Sequence, residues 1–216
     1  MFHVKHLEMK VILNLILILL ITVSCKTNSI IQESKNGDLI FVESNHKNLS
    51  GAISRVTQSD NNTISFDHVI LIEKTYNKLY ALHASSEKGS VKELLRPLIR
   101  KYHKNKQKLV LYRVSEETCR NKAVEKAKKL LGKPYNHLYI LNEDSYYCSD
   151  FVERAYRECN IFKLEPMTFI NPKTGKIDDY WLEFYKKHQQ EVPQGKLGCN
   201  PNGISHSDKL KKILIY

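Results

Sequence analysis

Aliphatic and β-branched residues cluster in four short runs of the chain, each bounded by polar or turn-forming residues. The runs cover residues 37–42, 66–73, 78–84 and 108–114, and their length and composition are typical of β-strands. The second and third runs are separated only by a turn at residues 76–78. This short connection predicts an antiparallel hairpin.

Segments with helical spacing of apolar residues lie between and after these runs. They predict a short helix at residues 49–56, a helix at residues 91–100 broken by Pro97, a long amphipathic helix at residues 116–131 and a helical segment at residues 180–188. Residues 85–89 and 193–203 have the composition of loops. Residues 160–216 are predicted to form a tail that wraps the core, and the whole pattern predicts an α+β fold.

One further helix is predicted to start at a cysteine. After Cys148, apolar residues recur at one, three and four positions, namely Phe151, Val152, Ala155, Tyr156 and Cys159, with charged residues such as Glu153 and Arg154 on the other side. The free N–H groups at a helix N-terminus favour a thiolate, which is how a cysteine nucleophile is commonly prepared. The alternative is that Cys148 is a small buried hydrophobic residue.

The N-terminus has the features of an export signal. The apolar run of residues 11–21 is too short to span a bilayer comfortably and is typical of a signal-peptide core. It ends in Thr22-Val23-Ser24-Cys25, which resembles a bacterial lipobox with Cys25 as the lipidated residue. Ordinary secretion and an uncleaved anchor are the alternatives. The prediction is a signal peptide at residues 1–25, a polar tether at 26–36 and a domain at 37–216.

Length, composition and charge place this chain among ordinary globular proteins. With 216 residues, 42% hydrophobic and 26% charged, it is long enough for one core. Its formal charge of +11 favours contact with anionic surfaces such as lipid headgroups or cell-wall polymers. The lysines are scattered and no motif of a nucleic-acid-binding fold accompanies them, so we predict a solvated basic face and no nucleic-acid partner. The oligomeric state is left open.

Four cysteines follow Cys25, and an oxidising compartment would allow two disulfides among them. A fold of this size does not need them, so Cys119 and Cys159 are interpreted as core or surface residues on predicted helices. Cys199 lies in a predicted loop and receives no assignment. No CxxC pair or Cys/His cluster has metal-ligand spacing, so no metal or other cofactor is predicted.

Two histidines stand on the predicted hairpin. His68 shares a strand face with Ile70 and Ile72, and His83 lies near the end of the next strand, so pairing through the turn would make them close neighbours. A cysteine hydrolase needs a base near the sulfur and a third group that orients the base. Each histidine alone is more often a satisfied core or surface residue, but together with Cys148 they predict such a site.

Five motifs of the chain together resemble the NlpC/P60 superfamily of cysteine peptidases. They are Gly37-Asp38-Leu39-Ile40-Phe41, Asp67-His68-Val69-Ile70-Leu71-Ile72, Leu82-His83-Ala84, Leu131-Gly132-Lys133-Pro134-Tyr135 and Tyr147-Cys148-Ser149-Asp150-Phe151-Val152. The histidine motifs precede the cysteine motif, which is similar to the circularly permuted YiiX/YebB-like branch. The resemblance implies a permuted papain-like fold, with an antiparallel β-sheet or barrel packed against helices.

The resemblance also implies roles for the site residues. Cys148 would be the nucleophile, His68 the general base and His83 the third member, a place that is often glutamate in the permuted branch. Tyr146, Tyr147 and Ser149 would contact the substrate, and the backbone N–H of Cys148 with a nearby polar group would form the oxyanion hole.

The implied activity is that of a cell-envelope amidase or peptidase acting on peptidoglycan stem peptides or other small amides. Permuted relatives also include enzymes that handle lipid acyl groups, so the first alternative is a lipid-directed thiol acyltransferase or lipase-like hydrolase. The second alternative is an envelope lipoprotein that keeps the fold and only binds. The presence of both Cys148 and His68 in this sequence argues against this second alternative.

Overall fold

A six-stranded antiparallel sheet forms the centre of the computed structural model, which describes residues 30–57 and 64–216. Its strands are β1 (Leu39–Glu43), β2 (Phe66–Thr75), β3 (Lys78–Ser85), β4 (Gly89–Leu94), β5 (Leu109–Val114) and β10 (Leu210–Ile215), in the spatial order β10-β5-β1-β2-β3-β4. Four two-residue strands form two small ribbons outside this sheet: β6 (Glu165–Pro166) with β9 (Leu197–Gly198), and β7 (Ile170–Asn171) with β8 (Lys176–Ile177).

The helices lie around this sheet. They are α1 (Asn48–Thr57), α2 (Leu95–Lys104), α3 (Glu117–Lys129), α4 (Cys148–Tyr156), α5 (Asp179–Lys187) and α6 (Pro201–Ser205), with a 3₁₀ turn at Arg157–Cys159. None of the helices within residues 30–57 and 64–216 has the length and hydropathy needed to cross a membrane. The predicted lipidation site Cys25 and the predicted signal peptide lie outside the described residues.

Both faces of the sheet are covered because the central strands are apolar at successive positions. In β1, Leu39 and Phe41 pack with α3 and α4, whereas Ile40 and Val42 pack on the side of α2. Two-sided burial of this kind explains why these strands read as continuous apolar runs rather than as alternating ones. A third cluster joins α1 to α5 around Trp181.

The predicted hairpin of the two histidines is confirmed. Strands β2 and β3 pair antiparallel from Thr75↔Lys78 to Leu71↔Leu82, and Tyr76 takes the left-handed conformation that the tight turn requires (φ 49°). The C-terminal segment differs from the prediction of a wrapping tail, because β10 is an edge strand of the main sheet beside β5. Its residues gain ladder hydrogen bonds from a partner about 100 positions away in sequence, which local patterning does not reveal.

The helix predicted at residues 91–100 is wrong in its first half. Residues Gly89–Leu94 form the edge strand β4, and the helix starts only at Leu95. Pro97 therefore falls in the first turn of α2, where its missing N–H has no intrahelical partner to lose. Proline marks the beginning of this helix and does not break it.

The predicted polar tether at residues 26–36 is also shorter than expected. Ile30 is fully buried against Leu95 and its neighbours, and the Ser34 side chain is buried, its hydroxyl donating to the carbonyl oxygen of Ile30 (2.6 Å). The two consecutive isoleucines supply apolar area that the sheet face buries. Residues 30–36 are thus part of the described fold rather than of a tether.

One disulfide bond joins Cys119 in the first turn of α3 to Cys159 in the 3₁₀ turn after α4. The interpretation of these residues as ordinary core or surface cysteines is therefore wrong. They lie 40 positions apart in sequence and are brought together because α3 and α4 pack side by side on the sheet. Cys148 and Cys199 remain free and buried.

Candidate active site

Helix α4 begins at Cys148, as the sequence predicts, with Tyr147 in extended conformation as the residue before the helix. Every residue of α4 is buried, including the charged ones that were expected on a solvent face. Two ion pairs at i,i+4 spacing make this burial tolerable: Asp150 with Arg154 (2.7 Å) and Glu153 with Arg157 (2.5 Å). The helix start that carries the cysteine is consequently held rigidly inside the protein.

The thiol of Cys148 is neutral in this environment. Burial raises its pKa to about 12, and hydrogen bonds from the nearby backbone N–H groups of Val69 and Ser149 offset only part of that effect. The thiol donates to the backbone carbonyl oxygen of Asp67 (3.9 Å). The helix N-terminus was predicted to favour a thiolate at Cys148, but here the desolvation of the buried thiol outweighs the helix dipole.

An irregularity in β2 lies between the Cys148 thiol and His68, the predicted general base. Strand β1 pairs Val42 with His68 and Glu43 with Phe66, so Asp67 is an extra residue that bulges from the ladder. The carbonyl oxygen of Asp67 accepts from Cys148, and its carboxylate accepts from the Ser50 hydroxyl. The thiol therefore contacts the residue directly before His68. No hydrogen bond of the described residues yet joins the sulfur to the His68 ring.

The two histidines form the start of a hydrogen-bonded chain. Nε2 of His68 lies 2.8 Å from Nδ1 of His83, Nε2 of His83 lies 2.9 Å from the Glu93 carboxylate, and Lys88 Nζ lies 2.6 Å from the other Glu93 oxygen. The predicted proximity of His68 and His83 is confirmed. Glu93 was missed because it belongs to β4, which the sequence reading assigned to a helix.

This chain fixes the tautomers of both rings. Burial lowers the pKa of His68 well below its ordinary value and also lowers that of His83, so both imidazoles are neutral at pH 7. Because Glu93 is ionised, His83 donates Nε2–H to it and must accept at Nδ1 from Nε2–H of His68. The lone pair of His68 is then on Nδ1, where it can take a proton.

Tyr135 lies close to the backbone of Cys148, the predicted nucleophile. Tyr135 lines the same cleft as Cys148 and Tyr139, the backbone N–H of Cys148 interacts electrostatically with the Tyr135 hydroxyl, and burial keeps the pKa of that hydroxyl well above its ordinary value. Backbone hydrogen bonds of 3.0 and 3.1 Å join Tyr146 to both neighbours of Tyr135 and hold the tyrosine there. A protonated phenol and a backbone N–H next to the reacting sulfur are the donors that an oxyanion hole requires.

The three residues predicted to contact substrate separate into two groups. Tyr147 and Ser149 line a cleft beside Cys148, and both bind the backbone of Cys199: the Tyr147 hydroxyl accepts its N–H (3.2 Å) and the Ser149 hydroxyl donates to its carbonyl oxygen (3.1 Å). Tyr146 is not among the described residues that line the cleft. Its ring packs under Arg154 and its hydroxyl donates to the backbone of Glu143.

Two cavities flank the reacting groups and share Ile53, Asp67, Tyr135 and Tyr139 as walls. The first, called here the polar pocket, has a volume of about 560 Å³ and is lined by His68, His83, Glu93, Lys88, Lys101 and Ser50, among others. The second, called here the aromatic cleft, has a volume of about 70 Å³ and is lined by Cys148, Val56, Tyr147, Met167, Phe169 and Trp181, among others. The histidines face one cavity and the cysteine faces the other.

Taken together, a cysteine at a helix start, a histidine on the adjoining strand and a hydrogen-bonded acceptor behind that histidine define a papain-like cysteine hydrolase. The chain belongs to the family of permuted papain-like amidase enzymes, YaeF/YiiX, whose model matches residues 33–214. It is accordingly a cysteine amidase or peptidase acting on an amide or peptide bond. A comparison with curated proteins found no significant match.

A solved structure supports the fold independently. The crystal structure of the metalloprotein YiiX from Escherichia coli O157:H7 superposes with a TM-score of 0.68 at 23% sequence identity, covering 84% of this chain and 97% of YiiX. Within the described residues of the present protein, no group of three or more His, Cys, Asp or Glu side chains is arranged to hold a metal ion. His68, His83 and Glu93 bind one another in a line rather than converge on a point, so no step is assigned to a metal.

Proposed function

We propose that this protein is a membrane-tethered amidase or peptidase of the bacterial cell envelope that cleaves peptidoglycan stem peptides or related small amides through a Cys148 thioester. The observation that carries the proposal is the His68–His83–Glu93 chain, which starts at the residue after Asp67, whose carbonyl oxygen the buried Cys148 thiol at a helix start contacts. A protein that only binds needs neither the free thiol nor the ordered tautomers.

The resting site holds a neutral thiol and a neutral imidazole, so attack requires a proton transfer. The thiol turns from the Asp67 carbonyl oxygen to Nδ1 of His68, and the sulfur adds to the amide carbon as the proton leaves. The oxyanion that forms is bound by the Cys148 N–H and the Tyr135 hydroxyl. His68 then protonates the departing amine, while His83 and Glu93 stabilise the imidazolium through their hydrogen bonds. Water hydrolyses the thioester by the same groups in reverse.

Two observations support an envelope location. The leader at residues 1–25 has the pattern of a lipoprotein signal, and the domain contains a Cys119–Cys159 disulfide, which is expected in exported proteins and uncommon in the cytosol. Lipidation at Cys25 would tether the domain, and its positive charge would favour the anionic polymers of the cell wall.

Labelling with a chloroacetamide at pH 7.5 tests the reacting pair. Tryptic mass spectrometry should find the adduct on Cys148 in preference to Cys199, and His68→Ala should remove most of the labelling. His103→Ala is the matched control, because His103 is an exposed histidine of α2 outside both cavities. Labelling of Cys148 at equal rates in wild type and His68→Ala would contradict the role of His68.

Incubation with purified stem peptides tests the substrate. Under acid quench, intact-protein mass spectrometry should show a Cys148 adduct equal in mass to the acyl part of the peptide, together with a released amine. Acyl adducts that arise from phospholipid vesicles and not from stem peptides would replace the amidase proposal with the acyltransferase one.

A further inference from the structure

The two cavities beside the reacting groups differ in size and polarity, and they lie on chemically different sides of the bond to be cleaved. Cys148 lines the aromatic cleft and not the polar pocket, whereas His68 and His83 line the polar pocket and not the cleft. In a cysteine hydrolase the acyl part stays bonded to sulfur while the amine leaves with the proton of the histidine. The acyl side of a substrate therefore belongs with the cleft, and the amine side with the pocket.

The aromatic cleft is small and its walls are mostly apolar, with Asp67, Ser149 and Asn200 among the polar residues that also line it. Its volume of about 70 Å³ is the space of roughly two to three water molecules, so it holds a substituent of about two to four non-hydrogen atoms. Phe169 and Trp181 are almost fully buried and pack at a centroid distance of 5.1 Å, so this wall does not yield easily. Met167 is the adjustable wall, because it is only half-buried and its side chain is flexible.

Gly198 sets the position of Met167. A Cβ atom on Gly198 would lie 2.4 Å from the Met167 sulfur, so the methionine rests directly on the glycine backbone. The Tyr147 hydroxyl lies 3.1 Å from the same point and closes the other side. Met167 also lines a neighbouring cavity of about 710 Å³, so an acyl chain too large for the cleft would have to displace Met167 to extend into that space.

The polar pocket has eight times the volume and a different lining. The Lys88–Glu93 ion pair lies at its wall, and the exposed Lys101 is close enough to lower the pKa values of both histidines through charge repulsion. Ser50 and Asn105 add further polar groups. Apolar residues such as Leu49, Pro97 and Leu98 line the pocket as well, and its charged and polar groups offer hydrogen-bond partners to an amine that carries hydroxyl, amide or carboxylate groups.

We propose that the aromatic cleft selects a short apolar acyl group and that the polar pocket accepts a hydrophilic amine leaving group. This inference rests on the proposed function and narrows its substrate class from stem peptides to small amides with a short apolar acyl group. The balanced reaction has two steps. The amide R–CO–NH–R′ and Cys148–SH give R–CO–S–Cys148 and R′–NH₂, the thiol proton passing through His68 to nitrogen. Water then gives R–COOH and restores Cys148–SH.

A panel of N-acyl serinamides with acetyl, propionyl, butanoyl and octanoyl groups tests the acyl side, with amine release measured by mass spectrometry. We expect kcat/KM to fall by about 10-fold or more from propionyl to octanoyl. Met167→Ala widens the cleft and should reduce that ratio several-fold, and Met167→Leu, which refills the volume, should restore it. Leu182→Ala is the matched control, because Leu182 is exposed on α5 and outside the cleft, and it should leave the ratio and the rate unchanged.

The leaving-group side is tested by exchanging serinamide for leucinamide with the propionyl group kept, which should lower kcat/KM by about 3- to 10-fold. Chloroacetamide labelling of Cys148 distinguishes a failure of the selectivity inference from a failure of the proposed function. Suppose that Cys148 is labelled in a His68-dependent manner. The selectivity inference is then wrong, and the catalytic assignment stands, if the octanoyl substrate is preferred, if all chain lengths react equally, or if no short amide reacts. If labelling and acyl adducts are both absent, the proposed function itself fails.

Discussion

The histidine side and the cysteine side of the Asp67 bulge differ in polarity and in hydrogen bonding. On the histidine side, His68, His83, Glu93 and Lys88 form an unbroken line of hydrogen bonds that ends in an ion pair with Lys88 partly exposed to solvent. On the cysteine side, the Cys148 thiol is packed among aromatic residues, and its polar contacts are to backbone groups: the Asp67 carbonyl oxygen at 3.9 Å and the N–H groups of Val69 and Ser149. One side is built to accept and pass a proton, and the other is built to exclude charge.

The difference explains why neither reacting group is charged at rest. Burial raises the pKa of Cys148 and lowers the pKa of His68, so transfer of the proton from sulfur to nitrogen is unfavourable in the free enzyme. Substrate changes this balance, because the thiolate is consumed as it forms and the new charge moves to the oxyanion donors. Such a site avoids a standing thiolate, which is the form of cysteine most easily oxidised.

Removing one reacting group from each side gives the largest expected effect. Cys148→Ala and His68→Ala should each lower kcat by at least about 10³-fold, and the double variant should be no worse than the poorer single one, because the two groups act as a unit. Steady-state kinetics with circular dichroism as the folding control measures this. Additive losses would mean that the two sides act independently.

Replacing Glu93 by its neutral isostere tests the histidine side alone. In Glu93→Gln, Lys88 keeps the amide oxygen, so the NH₂ group faces His83 and reverses both tautomers, leaving N–H instead of a lone pair at Nδ1 of His68. We expect kcat to fall by about 10²- to 10⁴-fold.

The double variant Lys88→Ala/Glu93→Gln is the control for that reversal. Without the lysine, the amide can rotate and present its oxygen to His83, so part of the activity should return. Equal activity of the single and the double variant would show that the orientation of the Glu93 side chain does not set the tautomers.

The pH dependence of Cys148 alkylation tests the cysteine side. Because its pKa is raised to about 12, the thiolate fraction at neutral pH is small and grows with each pH unit, so the rate should rise about 10-fold per unit from pH 7 to pH 9 in His68→Ala. Stopped alkylation followed by mass spectrometry gives these rates. A rate that is already flat across this range would indicate a preformed thiolate and contradict the neutral resting state.

Breaking the Cys119–Cys159 disulfide should affect stability and leave the chemistry almost unchanged. The bond lies behind α4 and closes a loop of 40 residues, for which chain entropy predicts a loss of about 2–4 kcal/mol in the Cys119→Ala/Cys159→Ala variant. Urea unfolding measures this loss, and kcat/KM at 25 °C should stay within about 2-fold of the wild type. A large loss of activity in the folded variant would show that the disulfide positions Cys148.

The sequence contained enough local information to predict the β2–β3 hairpin and the start of helix α4 at Cys148. The apolar runs and the two-residue turn specify β2 and β3, and the one, three and four spacing after Cys148 specifies α4. The place of Glu93 in the hydrogen-bonded chain could not be predicted from local pattern. Residues 89–94 have no clear period, and only the ladder with β3, which pairs Ala81 with Glu93 and His83 with Val91, makes them a strand.

The sequence by itself determined that a cysteine stands at a helix start and that two histidines lie across a hairpin, and the order of these residues resembles that of the permuted cysteine hydrolases. The tertiary structure decided the charge state of these residues, the tautomers imposed by Glu93, the disulfide between helices 40 residues apart and the unequal cavities on the two sides of the bulge. The physical reason is that secondary structure follows from neighbours in sequence, whereas desolvation, hydrogen-bond partners and cavity volume depend on residues that only folding brings together.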